Sequence, residues 1–318
     1  MSTIKVELGR RLFHDTRLSA NGAQSCSSCH RQELAFTDGR AHAVGSTGQV
    51  HRRSAMSLTN VAYNVAQTWA DPGVRRLEDQ ALVPMKGVHP VELGLEGNEA
   101  QLHDRLASDP LYAAMFRAAF PGESDPIGIG NVTKALACFE RTLISGNSPY
   151  DQLVYQGREH ALSESAWRGM KLFFSDACAC AKCHAGINFS GPTTWEGAPR
   201  APEPTYHNTA LYDVDGAGGY PPEDTGLAQV THQRADMGRF RAPTLRNVAL
   251  TAPYMHDGSI ATLEGVLDHY AAGGRAGRHN RRKSPLLHEV PLSSQDRRDL
   301  VEFLRSLTDQ LFVTDPRF

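Results

Sequence analysis

Two Cys-x-x-Cys-His strings limit what this chain can fold into more than any other feature. Cys26-Ser27-Ser28-Cys29-His30 and Cys180-Ala181-Lys182-Cys183-His184 take up four of its six cysteines. Two cysteines three apart on a helical turn reach the two vinyl positions on one edge of a porphyrin. The next residue then offers its imidazole to the iron. Two such strings in a chain with six cysteines predict two covalently bound c-type haems, with His30 and His184 as proximal ligands. The competing reading is zinc, because four thiolates and two imidazoles suffice for a closed tetrahedral site. Zinc ribbons, however, keep their knuckles closer together and carry basic surfaces. Of the other cysteines, Cys138 falls on one helical face with Val132, Leu136, Phe139 and Leu143, and is expected to be an inert buried thiol.

The two strings sit in parallel contexts. Gly9-Arg10-Arg11-Leu12-Phe13 precedes the first and Phe36-Thr37-Asp38 follows it; Gly169-Met170-Lys171-Leu172-Phe173 precedes the second and Asn188-Phe189-Ser190 follows it. A Gly-x-x-Leu-Phe helix leading into each loop, with an aromatic residue after each histidine, indicates an internal repeat. The expectation is a mostly α fold of two cytochrome c-like domains, 1–150 and 151–318, each with one haem and long loops. The break is placed near 145–162, where Ser145-Gly146-Asn147-Ser148-Pro149 interrupts the pattern. Residues 293–308 carry Leu300, Phe303, Leu304 and Leu307 on one face, with Ser293 or Ser294 as cap. Residues 99–119 read as one or two helices interrupted before Pro110. The segments 191–226 and 273–292 are rich in Gly, Pro and charge and read as loops.

At 318 residues and 40% hydrophobic, the chain can bury one large core or two ordinary ones. A formal net charge of -2 gives no reason to expect nucleic acid or an anionic membrane as partner. No apolar run is long enough to span a bilayer, and Met1-Ser2-Thr3-Ile4-Lys5-Val6-Glu7 lacks the basic start and apolar stretch of a signal peptide. Thioether attachment of haem takes place outside the bacterial inner membrane. The expected compartment is therefore the periplasm, with the signal missing from this numbering. No P-loop or dinucleotide fingerprint is present; Gly216-Ala217-Gly218-Gly219 opens no helix.

Beyond the two haem motifs, Asn64-Val65-Ala66-Gln67-Thr68-Trp69, Leu77-Glu78-Asp79-Gln80-Ala81, Pro90-Val91-Glu92-Leu93-Gly94 and Ala242-Pro243-Thr244-Leu245-Arg246-Asn247 running on to Ala252-Pro253-Tyr254-Met255-His256-Asp257-Gly258 carry a resemblance. Over nearly its whole length the chain resembles the bacterial di-haem cytochrome c peroxidase and MauG superfamily. Within it, Gly48-Gln49-Val50-His51-Arg52, Thr68-Trp69-Ala70-Asp71-Pro72 and His89-Pro90-Val91-Glu92-Leu93-Gly94 look most like the MbnH branch, associated with methanobactin-type copper operons.

The resemblance implies that the N-terminal haem meets hydrogen peroxide, that the C-terminal haem is six-coordinate, and that a tryptophan couples the two. By position Trp69 is that bridge; taken alone, it would read as a packed core aromatic. Glu92 matches the family's distal glutamate, which moves the peroxide proton; taken alone, it would read as a solvated carboxylate. Gln80, Pro84 and Met85 match distal-pocket positions, although Glu92 follows Gln80 at a longer interval than the family shows. The second axial ligand of the C-terminal haem is a methionine in the peroxidases and a tyrosine in MauG. Here Tyr270 takes that position, with Met255, His256 and His269 as competitors. The loop around Val44-Gly45-Ser46-Thr47-Gly48 lacks the capping histidine of the peroxidases, although His42 and His51 flank it, so the first haem is expected to be open to peroxide. The position of MauG's surface tryptophan, two before the second motif, holds Cys178 here. The family's calcium site implies bound Ca2+ on the carbonyls of Thr251 and Pro253, with Ser54 in place of an asparagine donor.

Three functions are consistent with this. One is a peroxide-dependent oxidase that reaches a bis-Fe(IV) state and oxidises an aromatic residue on a periplasmic partner protein. The MbnH resemblance implies tryptophan converted to kynurenine in a copper-binding partner. The second is a peroxidase fed by a small cytochrome or cupredoxin, against which the hard tyrosine ligand argues. The third is a pure electron-transfer cytochrome, which needs no distal acid and no open haem site.

Overall fold

The computed structural model describes residues 1–198, 202–275 and 280–318; the parts of the two expected loop segments at 199–201 and 276–279 lie outside these. The described chain is mostly helical: α1 Thr3–Phe13, α2 Cys26–Cys29, α3 Leu77–Lys86, α4 Glu99–Ala107, α5 Pro110–Ala119, α6 Ile129–Glu140, α7 Pro149–Val154, α8 Glu164–Phe173, α9 Ala228–Thr231, α10 Leu263–Ala271 and α11 Ser294–Arg305. The caps follow from the sequence. Ser293 starts α11 by a capping box with Asp296. The 99–119 stretch is split into α4 and α5, with Asp109 capping α5 and Pro110 at its first turn. One difference from expectation lies inside the 191–226 loop. Tyr206–Asn208 (β1) pairs antiparallel with Arg239–Arg241 (β2), in the register Tyr206 opposite Arg241.

The repeat seen in the sequence is a repeat in packing. α1 lies against α6, and α8 against α11. At each crossing a glycine lets two backbones touch. A Cβ on Gly9 would sit 1.9 Å from the Ala135 carbonyl oxygen, and one on Gly169 would sit 1.9 Å from that of Asp299. Four residues further on, Phe13 meets Phe139 with ring centroids 5.1 Å apart, and Phe173 meets Phe303 at 5.1 Å. The aromatic residue after each histidine completes each cluster: Phe36 lies 6.1 Å from Phe13, and Phe189 lies 5.9 Å from Phe173. Burial of such rings supplies most of the local stabilisation, and tilted or edge contacts add about 1 kcal/mol each.

Two apolar cores result. The first is built from α1, α3 to α6 and the Ala35–Phe36 turn; the second from Tyr150, α8, Phe189, α10 and α11. Cys138 is buried on α6, as its periodicity indicated. The first core also takes in Phe312 and Val313, so the chain returns to its starting core after α11. A third cluster, of Ala70, Leu211, Tyr220, Phe240 and Ile260, has Trp69 packed against it.

The glycine contacts make a sign prediction. Gly9→Ala and Gly169→Ala should each destabilise the haem-loaded protein by about 1–3 kcal/mol, because the backbone neighbour cannot move aside. Gly130→Ala, in α6 with open space around it, should stabilise by about 0.5 kcal/mol. Urea unfolding of the three variants checks both signs.

Candidate active site

The two Cys-x-x-Cys-His strings form the same local structure. Each histidine N–H donates to the carbonyl of the first cysteine at 3.0 Å, His30 to Cys26 and His184 to Cys180. Each imidazole then meets the carbonyl of its following phenylalanine: His30 Nδ1 to Phe36 O at 2.8 Å, His184 Nδ1 to Phe189 O at 2.9 Å. A carbonyl only accepts, so Nδ1 carries the proton in both rings and Nε2 keeps its lone pair for a metal. Phe36 and Phe189 are themselves in the left-handed region, at φ 61° and 49°. That is an unfavourable place for a bulky residue, and it is what turns the carbonyl toward the ring. Burial lowers the pKa of both histidines, keeping them neutral as ligation requires.

A cavity opens beside the first motif. Its lining brings Cys26, Cys29 and His30 together with Gln80, Pro84, Met85 and Glu92. Helix α3 supplies the first three of the latter group. The chain after it turns back so that the Leu93 N–H donates to the Pro84 carbonyl at 2.9 Å and the Leu95 N–H to that of Met85 at 2.8 Å. The longer interval between Gln80 and Glu92 is thus taken up by a turn at 87–91, and Glu92 still faces the cavity. Burial raises the Glu92 carboxyl to about 7. His51, named in the sequence only as flanking the 44–48 loop, and Glu140, not singled out there, also line the cavity. Glu140 is buried on α6 with Oε2 unpartnered, and burial pushes its pKa up to about 8. Its spacing of four from Leu136 placed it on the buried face, so its helical phase already carried that signal. His42 is exposed, whereas His51 turns inward.

At the second motif, Tyr270 on α10 lies close enough to Cys180 and Cys183 for their thiols to act on its phenol, whose pKa burial raises further. The competitors are otherwise engaged. His269 Nε2 meets the Thr209 carbonyl at 2.9 Å, and its Nδ1 accepts the Arg275 N–H at 3.2 Å. His256 is stacked flat on Phe240, centroids 3.7 Å apart. Met255 packs in the cluster beside Trp69.

Trp69 is tied at both ends. Its indole N–H donates to the Ser54 carbonyl at 3.1 Å, and its carbonyl accepts the Arg241 N–H at 2.8 Å. Ser54 in turn donates its backbone N–H to the His256 carbonyl at 2.8 Å. Among the described residues no three His, Cys, Asp or Glu side chains converge as on a metal ion, so the two motifs do not merge into one zinc site.

The residues fit two haems. Burial pushes all four motif thiols up, Cys29 to about 11 and Cys180 to about 12, an environment for neutral thioethers rather than thiolates. Arg241 is 7% exposed and, among the described residues, meets no carboxylate; its guanidinium donates to the Thr68 carbonyl and lies near the Met56 sulfur. Across the ribbon the Tyr206 hydroxyl is buried without a partner. A porphyrin brings the carboxylates that such donors lack.

Residues 3–160 match the family model described as di-haem cytochrome c peroxidase. The methylamine utilization protein MauG of Methylorubrum extorquens is 36% identical over 95% of this chain and 78% of its own length. Cytochrome-c peroxidase IdrP1 of Pseudomonas sp. is 33% identical over 99% of this chain and 84% of its own. A crystal structure of a MauG-like protein associated with microbial copper homeostasis superposes with a TM-score of 0.97 at 44% identity, covering 100% of this chain and 93% of that one. With relatives this similar over nearly its full span, and with both haem motifs built alike, the chain belongs to the di-haem cytochrome c peroxidase and MauG family of haem oxidoreductases that act on peroxide.

Proposed function

We propose that this protein is a hydrogen peroxide-dependent di-haem oxidase that draws electrons from an aromatic residue of a separate partner protein. The carrying observation is the buried Tyr270 phenol, near enough to Cys183 and Cys180 to feel their thiols, with both nitrogens of the adjacent His269 already bonded. A tyrosinate is a hard anionic donor that favours high oxidation states and lowers the potential relative to a methionine thioether. In this reading 1–150 and 151–318 are cytochrome c-like domains with one covalent haem each. The haems supply peroxide activation and storage of two oxidising equivalents.

The side chains do the rest. His30 and His184 present a fixed Nε2. Glu92, with a pKa raised to about 7, takes the proton from one peroxide oxygen and returns it to the leaving one. Gln80, Pro84 and Met85 wall the same cavity, and Trp69 lies between segments leading to the two motifs. Calcium on the carbonyls of Thr251 and Pro253, beside Ser54, would brace the junction. The MauG-like relative associated with microbial copper homeostasis supports a copper-binding partner; the periplasmic location and the tryptophan-to-kynurenine conversion are what the MbnH resemblance adds to this proposal. No helix among the described residues is long and apolar enough to cross a membrane. The second reading, a peroxidase fed by a small cytochrome or cupredoxin, is favoured by the IdrP1 resemblance.

Rapid-mixing absorption spectroscopy of the oxidised protein with stoichiometric peroxide separates the two. A near-infrared charge-resonance band, with both haems losing their ferric signature, is expected. Inertness until one-electron reduction would mean a peroxidase. Tyr270→Met should raise the potential of the second haem and allow reduced cytochrome c to sustain peroxide turnover; an unchanged potential would remove Tyr270 from the iron.

Glu140 gives a pH prediction. Its folded pKa is raised from 4.5 to about 8, so the proton it holds in the fold contributes stability in full below about pH 4.5, and that contribution is lost progressively as pH rises from there through about 8. Glu140→Gln should remove that part of the decline in urea-unfolding stability. A slope parallel to that of the parent would mean that the carboxyl has a partner.

A further inference from the structure

The segment from Ala43 to His51 folds back on itself and lies along the backbone that carries Glu92. Val44 and Val50 form an antiparallel bridge, and the Gly45 N–H donates to the Gln49 carbonyl at 2.8 Å. From this hairpin the Ser46 N–H donates to the Glu92 carbonyl at 2.8 Å, and Gln49 Oε1 accepts the Val91 N–H at 2.9 Å. Gly45 has no room for a side chain, since a Cβ would lie 1.9 Å from the Val91 carbonyl oxygen and 3.0 Å from Glu92 Cα. The hairpin thus grips the Glu92 main chain from several directions, and His51 at its end reaches the side chain.

His51 Nε2 lies 3.5 Å from Glu92 Oε1. Its other nitrogen settles the tautomer. Nδ1 accepts the Arg53 N–H at 3.2 Å, so in the neutral ring the proton is on Nε2, facing the carboxylate. Burial, together with nearby Arg53 and Arg52, keeps the ring neutral against the pull of Asp224. Among the described residues the Glu92 carboxyl makes no side-chain hydrogen bond, and the His51 ring is the basic group beside it. The other carboxyl in the cavity lining, among the described residues, is Glu140 on α6; Gln24, Ser25, Gln49, Gln80 on α3, Cys26, Cys29 and His30 also line it.

We propose that His51 is a positioning residue that donates Nε2–H to Glu92 Oε1, fixing the carboxyl so that Oε2 is left to exchange a proton with the bound peroxide. The inference rests on Glu92 being the acid–base group. The hydrogen bond favours the ionised carboxyl and offsets part of the cost of its burial. The distance is long for a hydrogen bond, and such contacts shorten when substrate is bound. The loop that caps the iron with a histidine in peroxidases would here serve the distal acid instead.

The test uses haem-loaded protein and three variants, His51→Leu, His51→Gln and Glu92→Gln. The rate of reaction with hydrogen peroxide is followed from about pH 5 to about pH 9, where a distal carboxyl of this kind would titrate. The carboxyl infrared band that disappears in Glu92→Gln is titrated in parallel. His51→Leu should slow the reaction about tenfold, the scale of one displaced pKa unit, and move both midpoints upward. His51→Gln, which keeps an N–H donor, should restore most of the rate, and the resting ferric spectrum should not change in any variant. A His51→Leu protein with parental rate and midpoint, while Glu92→Gln is slow, leaves Glu92 in place and overturns the role of His51. A Glu92→Gln protein at parental speed overturns the underlying reading. A changed ferric spin state in His51→Leu would make the ring an iron ligand and also overturn the proposal. If His51→Leu does not load both haems, His51→Asn, too short to reach Oε1, carries the same comparison.

Discussion

The structure depends on one small interaction used twice, the hydrogen bond from a histidine Nδ1 to a phenylalanine carbonyl. A free imidazole rotates and exchanges tautomers; here the bond fixes both. It requires the phenylalanine backbone to stay in the left-handed region, which costs about 1 kcal/mol or more in isolation. The aromatic clusters offset that strain. Phe36 and Phe189 are fully buried among Phe13 and Phe139, and among Phe173 and Phe303. Those clusters exist because Gly9 and Gly169 let their helices close to backbone contact. Helix crossing, aromatic packing, strained carbonyl and oriented imidazole therefore form one mechanical unit, present at both ends of the chain.

Around this shared unit the two sites diverge. The first has an open cavity with an acid of raised pKa, and nothing on α10 approaches it. The second has a buried phenol near its cysteines. Trp69 is anchored through Ser54 on one side and Arg241 on the other. The same imidazole geometry thus occurs beside two different surroundings, which the proposed division between peroxide activation and charge storage would use.

Much of this was legible in the residues. The Gly-x-x-Leu-Phe repeat gave the helix that leads into each Cys-x-x-Cys-His string, because short-range spacing is what sequence records directly; the pairing of those helices with α6 and α11 came only with the structure. The distal set of Gln80, Pro84, Met85 and Glu92 was named from resemblance, and all four line one cavity with Cys26, Cys29 and His30. What was not legible depended on backbone paths. The turn at 87–91 decides where Glu92 points, and only the Leu93 to Pro84 hydrogen bond reveals it. Ligand softness could not choose among Tyr270, His256 and His269; the Thr209 carbonyl and the Phe240 ring, far off in sequence, engage the two histidines. Strand β1, Tyr206–Asn208, was read as loop because three-residue strands carry no period.

The return of the chain to its first core bears on how such a protein matures. Gln32, two residues past His30, donates its amide to the carbonyls of Phe312 and Asp315, a sequence separation of 280 and more. Phe312 and Phe318 close over Phe36 at 5.5 Å and 6.4 Å. During vectorial synthesis or export the first haem loop therefore emerges early but lacks its roof until the segment beyond α11 arrives. Each loop also precedes the helix that packs on its own leading helix, α6 for the first and α11 for the second, by roughly a hundred residues. The order of the chain thus leaves the first Cys-x-x-Cys-His loop without part of its packing until the residues beyond α11 are in place.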